Sequence, residues 1–154
     1  MLQLKTTLLI IVKDNQILLA KKLRGFGMGK YNGVGGKVEQ DETVEQAILR
    51  ETFEEIGVVP TEYKMMGIVD FDEYVKGERN LVKMHVFKAT QFDGEPTTTD
   101  EMSPEWFSLD NIPYDKMFKD DTHWLPLLLQ DKTFYGNFVY DKDFNLVEYK
   151  LDLT

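Results

Sequence analysis

Gly36-Lys37-Val38-Glu39-Gln40-Asp41-Glu42-Thr43-Val44-Glu45-Gln46-Ala47-Ile48-Leu49-Arg50-Glu51-Thr52-Phe53-Glu54-Glu55-Ile56-Gly57-Val58 gathers carboxylates where helix physics disfavours them. Thr43 and Gln46 stand in the T-x-x-Q relation of a capping box, and Gly57 suits the left-handed position that ends a helix. Residues 44–56 therefore read as one helix. Its last turns hold Glu51, Glu54 and Glu55. There the negative end of the helix dipole opposes each exposed acid by about 0.3–1 kcal/mol, and the acids repel one another.

Glu51, Glu54 and Glu55 are related as i, i+3 and i+4, and Ala47 and Ile48 precede Glu51 on the same stripe. The acid stripe thus continues an apolar one. Partly buried carboxylates are costly unless paired or metal-bound, and hard divalent cations take oxygen ligands of this kind. A solvated acidic helix face accounts for the three acids equally well when they are taken alone. The residues around them decide between the two.

The chain has 154 residues, 42% of them hydrophobic, which is a one-domain length able to furnish a core. A net charge of −9 argues against a protein that grips a nucleic-acid backbone by charge. The absence of cysteine excludes disulfides, thiol catalysis and cysteine metal sites. Leu8 to Val12 is too short an apolar run for a membrane span or a signal segment, so a cytoplasmic protein is expected.

No repeat or linker interrupts the chain, and one domain over residues 1–154 is expected. Apolar runs at 6–12 and 16–22 around Asp14-Asn15 suggest a hairpin. Further strands are expected at 65–75, 82–92 and 105–109, with a short helix from Asp120-Asp121-Thr122 through Leu129. Residues 133–140 and 144–153 alternate around Asp141-Lys142-Asp143 and read as a second hairpin. Mixed strands with two helices predict an α+β fold, an α/β/α sandwich. Gly33, Gly35 and Gly36 stand just before the acidic helix, where backbone must approach something closely.

The whole run fits the pattern G-x5-E-x7-R-E-U-x-E-E-x-G-U, in which U is a bulky aliphatic residue. Gly36, Glu42, Arg50, Glu51, Glu54, Glu55, Gly57 and Val58 occupy its fixed positions. By this signature the chain resembles the Nudix hydrolases. Thr52 stands where the pattern has a large aliphatic residue, a departure that bears on packing. The likeness extends through Lys21 to Gly27, Tyr31 to Val38, Asp100-Glu101-Met102 and Trp124 to Gln130. Those segments resemble the animal branch of the family, which hydrolyses oxidised purine nucleoside triphosphates such as 8-oxo-dGTP and 2-hydroxy-dATP to the monophosphate and pyrophosphate.

The resemblance implies a Nudix fold with a mixed β-sheet and Mg²⁺, or Mn²⁺ in its place, held by Glu51, Glu54, Glu55, Glu101 and the Gly35 carbonyl. It implies a catalytic set of Glu54, Glu51, Glu55, Glu101 and Arg50, with Glu54 or Glu101 accepting the proton of water and Arg50 orienting carboxylates, Glu42 among them. The implied substrate pocket comprises Thr7, Lys22, Phe26, Asn32, Phe71, Val82, Phe118, Asp120, Asp121 and Trp124. In that branch a Trp stands at Phe118 and a Met at Val82. Phe26, Phe71 and Trp124 could equally be core, and Asp120 and Asp121 could equally cap the helix that follows. If both acids meet one ligand edge they cannot easily both ionise, so one can keep a proton and donate it. Lys22 and Lys37 are candidate phosphate contacts. His85 and His123 lack metal-ligand spacing.

The expected ligand is a small nucleotide, with no stable nucleic-acid or membrane partner and a monomeric chain. Other readings keep the acidic helix and change the pocket: hydrolysis of ADP-ribose, of a dinucleoside polyphosphate or of an RNA 5′ end, or a general dNTP pyrophosphatase. A non-enzymatic ligand sensor on the same scaffold would lose the catalytic glutamates, and these are present.

Overall fold

The segment from Leu8 to Ile11 is apolar at successive rather than alternate positions, the pattern of a strand covered on both faces. The computed structural model, which describes residues 1–154, bears this out. Strand β1 (Leu2–Lys13) sends Leu8 and Ile10 into one core and Leu9 and Ile11 into another. Strand β2 (Gln16–Lys22) does the same, with Ile17 and Leu19 on one face and Leu18 and Ala20 on the other.

The remaining elements are β3 (Tyr31–Asn32), helix α1 (Val44–Ile56), β4 (Val59–Val75), β5 (Glu78–Asp93), β6 (Met102–Ser108), helix α2 (Asp121–Leu129), β7 (Phe134–Tyr140) and β8 (Leu146–Leu153). The strands form one sheet in the order β3-β2-β1-β5-β4-β7-β8, with β6 pairing β2 as well. β1 with β5 and β4 with β7 run parallel, and the other pairs antiparallel, so the sheet is mixed. α1 buries Ile48 and Ile56 against one face. α2 buries Trp124, Leu125 and Leu128 against the opposite face. The result is the expected sandwich.

The first hairpin turns at Asp14 and Asn15, both with positive φ (53° and 61°), the backbone a tight two-residue turn needs. β4 and β5 extend beyond the expected 65–75 and 82–92. Lys76 and Gly77 (φ 53° and 78°) make a second such turn, which carries the ladder out through polar residues with no apolar alternation. Residues 59–64 join β4 through register shifts near Pro60 and Glu62, and that broken alternation hid them. The last hairpin has the expected strands. Its tip is tied by Asp141, whose Oδ1 accepts the backbone N–H groups of Asp143 (3.0 Å) and Asn145 (2.9 Å). No helix is long and apolar enough to cross a membrane.

Candidate active site

Helix α1 forms as its caps dictate. The Thr43 hydroxyl accepts the Gln46 N–H (3.1 Å), the Gln46 side chain accepts the Thr43 N–H (2.9 Å), and Gly57 ends the helix at φ 76°. Thr52 is fully buried with its hydroxyl unpaired, while Phe53 is 59% exposed. The departure at Thr52 therefore places a small polar residue in the core.

The glycine run lies hard against the helix and β1. A Cβ on Gly35 would stand 2.0 Å from the Thr7 carbonyl oxygen, and one on Gly36 2.6 Å from the Glu51 carboxyl carbon. The closeness has a use, because the Gly35 N–H donates to Glu55 Oε1 (3.2 Å). Burial pushes Glu55 up to about 8, the Glu51 charge adds to the rise, and the Gly35 N–H only partly offsets it.

Arg50 sits outside this contact and holds acids in place. Its Nε donates to Glu42 Oε2 (2.7 Å) and its Nη2 to Glu42 Oε1 (2.9 Å) and to the Lys37 carbonyl (3.1 Å). Nη1 reaches Glu51 (2.8 Å) and Glu54 (3.3 Å). The paired hydrogen bonds from Arg50 draw Glu42 down to about 2. Arg50 thus hydrogen-bonds three carboxylates and does not border the cavity. Arg24 Nη2 likewise holds Glu101 Oε1 at 2.8 Å and lowers its pKa.

A cavity of about 390 Å³ opens between this acid end and the N-terminus of α2. Gly35, Glu51, Glu55, Glu101 and Lys22 line it, as do Thr7, Asn32, Phe26, Phe71, Val82, Phe118, Asp120 and Asp121. Besides Arg50, three expected residues do not. Glu54 has a 57% exposed side chain turned to Arg50. Lys37 offers Arg50 its carbonyl. Trp124 is fully buried behind the cavity, stacked on Phe134 at 5.8 Å.

No three acids are drawn together closely enough to hold a metal ion, because Arg50 takes Glu51 and Glu54 and Arg24 takes Glu101. The donor set still fits a hard divalent cation. It is all oxygen, and Glu55 is a buried carboxyl with one N–H donor.

Asp120 and Asp121 are 4% and 2% exposed, and their environments differ. Asp120 receives the Tyr140 hydroxyl on Oδ1 (2.5 Å) and Trp124 Nε1–H on Oδ2 (2.8 Å). Asp121 receives only the Phe118 N–H, on Oδ2 (3.0 Å). Burial raises both, and the Asp120 charge raises Asp121 further. The two side-chain donors on Asp120 favour its charged form, while Asp121, with one backbone donor and a neighbouring acid, is pushed up the more strongly. Asp120 stands at the start of α2 without capping it through its side chain. The capping alternative for Asp120 is therefore set aside.

Glu73, Met84, Lys30 and Phe144 also line the cavity. Phe144 contacts Phe26 edge-on at 5.2 Å and stacks on Tyr140 at 4.3 Å. One signal for Glu73 was available: it follows Phe71 by two residues on a strand and so shares its face. Phe144 carried none, since its φ of 59° puts an aromatic residue where a turn favours glycine or asparagine. His85 Nδ1 lies 3.2 Å from the Thr6 carbonyl, and His123 packs on Tyr149 at 4.0 Å, so both serve the framework.

The raised acids set a pH dependence. Burial moves Glu73 up to about 7, with Asp120 adding to it, and Asp121 higher than an ordinary carboxyl. The folded chain then holds protons that the unfolded chain releases above about pH 4.5, so these groups cost stability as pH rises from about 4.5 through 7. The melting temperature of the nucleotide-free protein is expected to fall between pH 5 and pH 8, and to fall less in Glu73→Gln. A rising melting temperature over that interval would contradict the assignment.

The family model of the NUDIX domain matches residues 1–128. The oxidized purine nucleoside triphosphate hydrolase of Danio rerio is 45% identical over 146 residues, 95% of this chain and 92% of the relative. That of Mus musculus is 41% identical over 145 residues, 94% of this chain and 92% of the relative. The crystal structure of a MutT protein from Bacillus halodurans superposes with a TM-score of 0.86 at 30% identity, covering 97% of both chains.

Proposed function

The chain belongs to the Nudix hydrolase family, and from that premise we propose that it hydrolyses oxidised purine nucleoside triphosphates, such as 8-oxo-dGTP or 2-hydroxy-dATP, to the monophosphate and pyrophosphate. The observation that carries the reading is the single cavity shared by the acidic helix and by two buried aspartates with different hydrogen-bond partners. An acid helix alone suits any nucleoside diphosphate derivative. Buried acids that offer a base edge both a donor and an acceptor suit a purine whose oxo and amino groups report its oxidation.

Glu51, Glu54, Glu55, Glu101 and the Gly35 carbonyl would hold Mg²⁺, or Mn²⁺ in its place. Such an ion, when bound, neutralises triphosphate charge and acidifies the attacking water. The chain's own groups do the rest. Lys22 lines the cavity beside the acids and meets phosphate oxygens. Arg50 keeps Glu51 and Glu54 aligned and stays off the substrate. Of the two acids able to take the proton of water, Glu101 borders the cavity and is the better placed. Phe26, Phe71 and Phe118 enclose the base in apolar surface, and Asp121 donates its proton to an oxo group. Residues 1–154 act as one domain, a reading supported by β7 and β8 completing the same sheet, and the proposed working form is a monomer. The cytoplasm, where nucleotide pools lie, is the proposed location.

A nucleotide panel with product analysis in Mg²⁺ tests the reading. kcat/KM is expected to be at least about 10-fold higher for an oxidised purine triphosphate than for dGTP or dATP, the scale of one well-made buried polar contact. The products should be monophosphate and pyrophosphate. Preference for ADP-ribose, a dinucleoside polyphosphate or a capped RNA end would overturn it.

A further inference from the structure

The two aspartates are not the only hydrogen-bonding acids at the base end. Both oxygens of Asp120 already receive protein donors, from Tyr140 and Trp124. Asp121 has one oxygen on the Phe118 N–H and offers a ligand its proton. Glu73 lines the same cavity from β4, two residues beyond Phe71, and no protein group donates to its carboxyl. This end of the cavity therefore holds unused hydrogen-bonding capacity, which a folded protein seldom leaves without a ligand.

We propose that Glu73 is a specificity-determining residue: its carboxylate accepts the N1–H and 2-amino groups of a guanine-type base and favours such bases over adenine-type ones. The inference rests on the oxidised-purine reading given above. A guanine edge presents one acceptor, O6, beside a run of N–H donors. Asp121 supplies the one donor that O6 requires, and the two free oxygens of Glu73 supply the matching acceptors. An adenine edge places the ring acceptor N1 next to its amino group. Against that edge one carboxylate oxygen of Glu73 would face a lone pair.

The test compares kcat and KM of wild type, Glu73→Leu and Glu73→Gln on 8-oxo-dGTP and 8-oxo-dATP. Glu73→Leu should raise KM for 8-oxo-dGTP at least about 10-fold with kcat within about 3-fold, and change 8-oxo-dATP far less, as expected when one charged acceptor is lost. Glu73→Gln offers an acceptor beside a donor, which matches the adenine edge, so the guanine-to-adenine ratio of kcat/KM should drop toward one or invert. Melting curves establish that both variants are folded. An unchanged ratio in both variants, or equal losses on both substrates, overturns the role of Glu73 while leaving the oxidised-purine reading intact. A wild-type chain that turns over neither substrate overturns both.

Discussion

Glu55→Gln is expected to lower kcat by about 100-fold or more and, at the same time, to raise the melting temperature of the metal-free protein at pH 7.5. Both outcomes follow from the same burial. Glu55 is 9% exposed and its carboxyl is pushed up to about 8, so the folded state favours a proton that the unfolded chain has lost above about pH 4.5. A raised acid of this kind costs stability as pH rises through that window. The amide removes the cost and keeps an oxygen for the Gly35 N–H. It also removes the anionic oxygen that a divalent cation requires, so the rise in melting temperature on adding Mg²⁺ should shrink. Near-native turnover by the folded variant at saturating Mg²⁺ would sink the metal-site assignment.

Asp120→Asn should cut kcat/KM for an oxidised purine triphosphate by at least about 10-fold, with a much smaller loss on a substrate whose base is weakly read. The introduced amide nitrogen must face either the Tyr140 hydroxyl or Trp124 Nε1–H, since both now donate to the carboxylate. One buried donor is left unpaired, a cost of about 1–3 kcal/mol, which for a chain of this size is a few degrees in melting temperature. Asp121→Asn reproduces a protonated acid more closely and keeps an oxygen for the Phe118 N–H, so it should be milder on both counts. Steady-state kinetics and melting curves on the two variants check the order. If Asp121→Asn proves the more damaging in both assays, the proton sits on Asp120. An equal loss on every nucleotide would make the pair structural.

The parts of the molecule governed by neighbours in the chain were legible from residues alone. Thr43, Gln46 and Gly57 bound helix 44–56 because capping is a local matter, and the structure has those limits. Asp14-Asn15 marked the first hairpin for the same reason. What escaped depends on partners far along the sequence. Pro60 and Glu62 belong to a strand only because β5 lies beside them. Trp124 was expected in the pocket and stands behind it, bonded to Asp120, a distinction set by the sheet on which α2 rests. Glu73 has the alternation of any strand acid, and only the assembled cavity shows that it meets Asp120. Phe144 reaches the pocket through a left-handed residue in a turn, where residue type points the other way.

The sheet separates the two ends of the site more completely than their shared cavity suggests. Glu51, Glu54 and Glu55 are carried by a helix seated on one core, and Asp120 and Asp121 by a helix seated on the other. Leu8 and Leu9, adjacent in the chain, look into different interiors. In descent, such a division lets selection act on the choice of base and on hydrolysis as nearly independent traits. Changes at Glu73, Phe118, Tyr140 or Phe144 can redirect which nucleotide is removed while the hydrolytic helix is inherited intact.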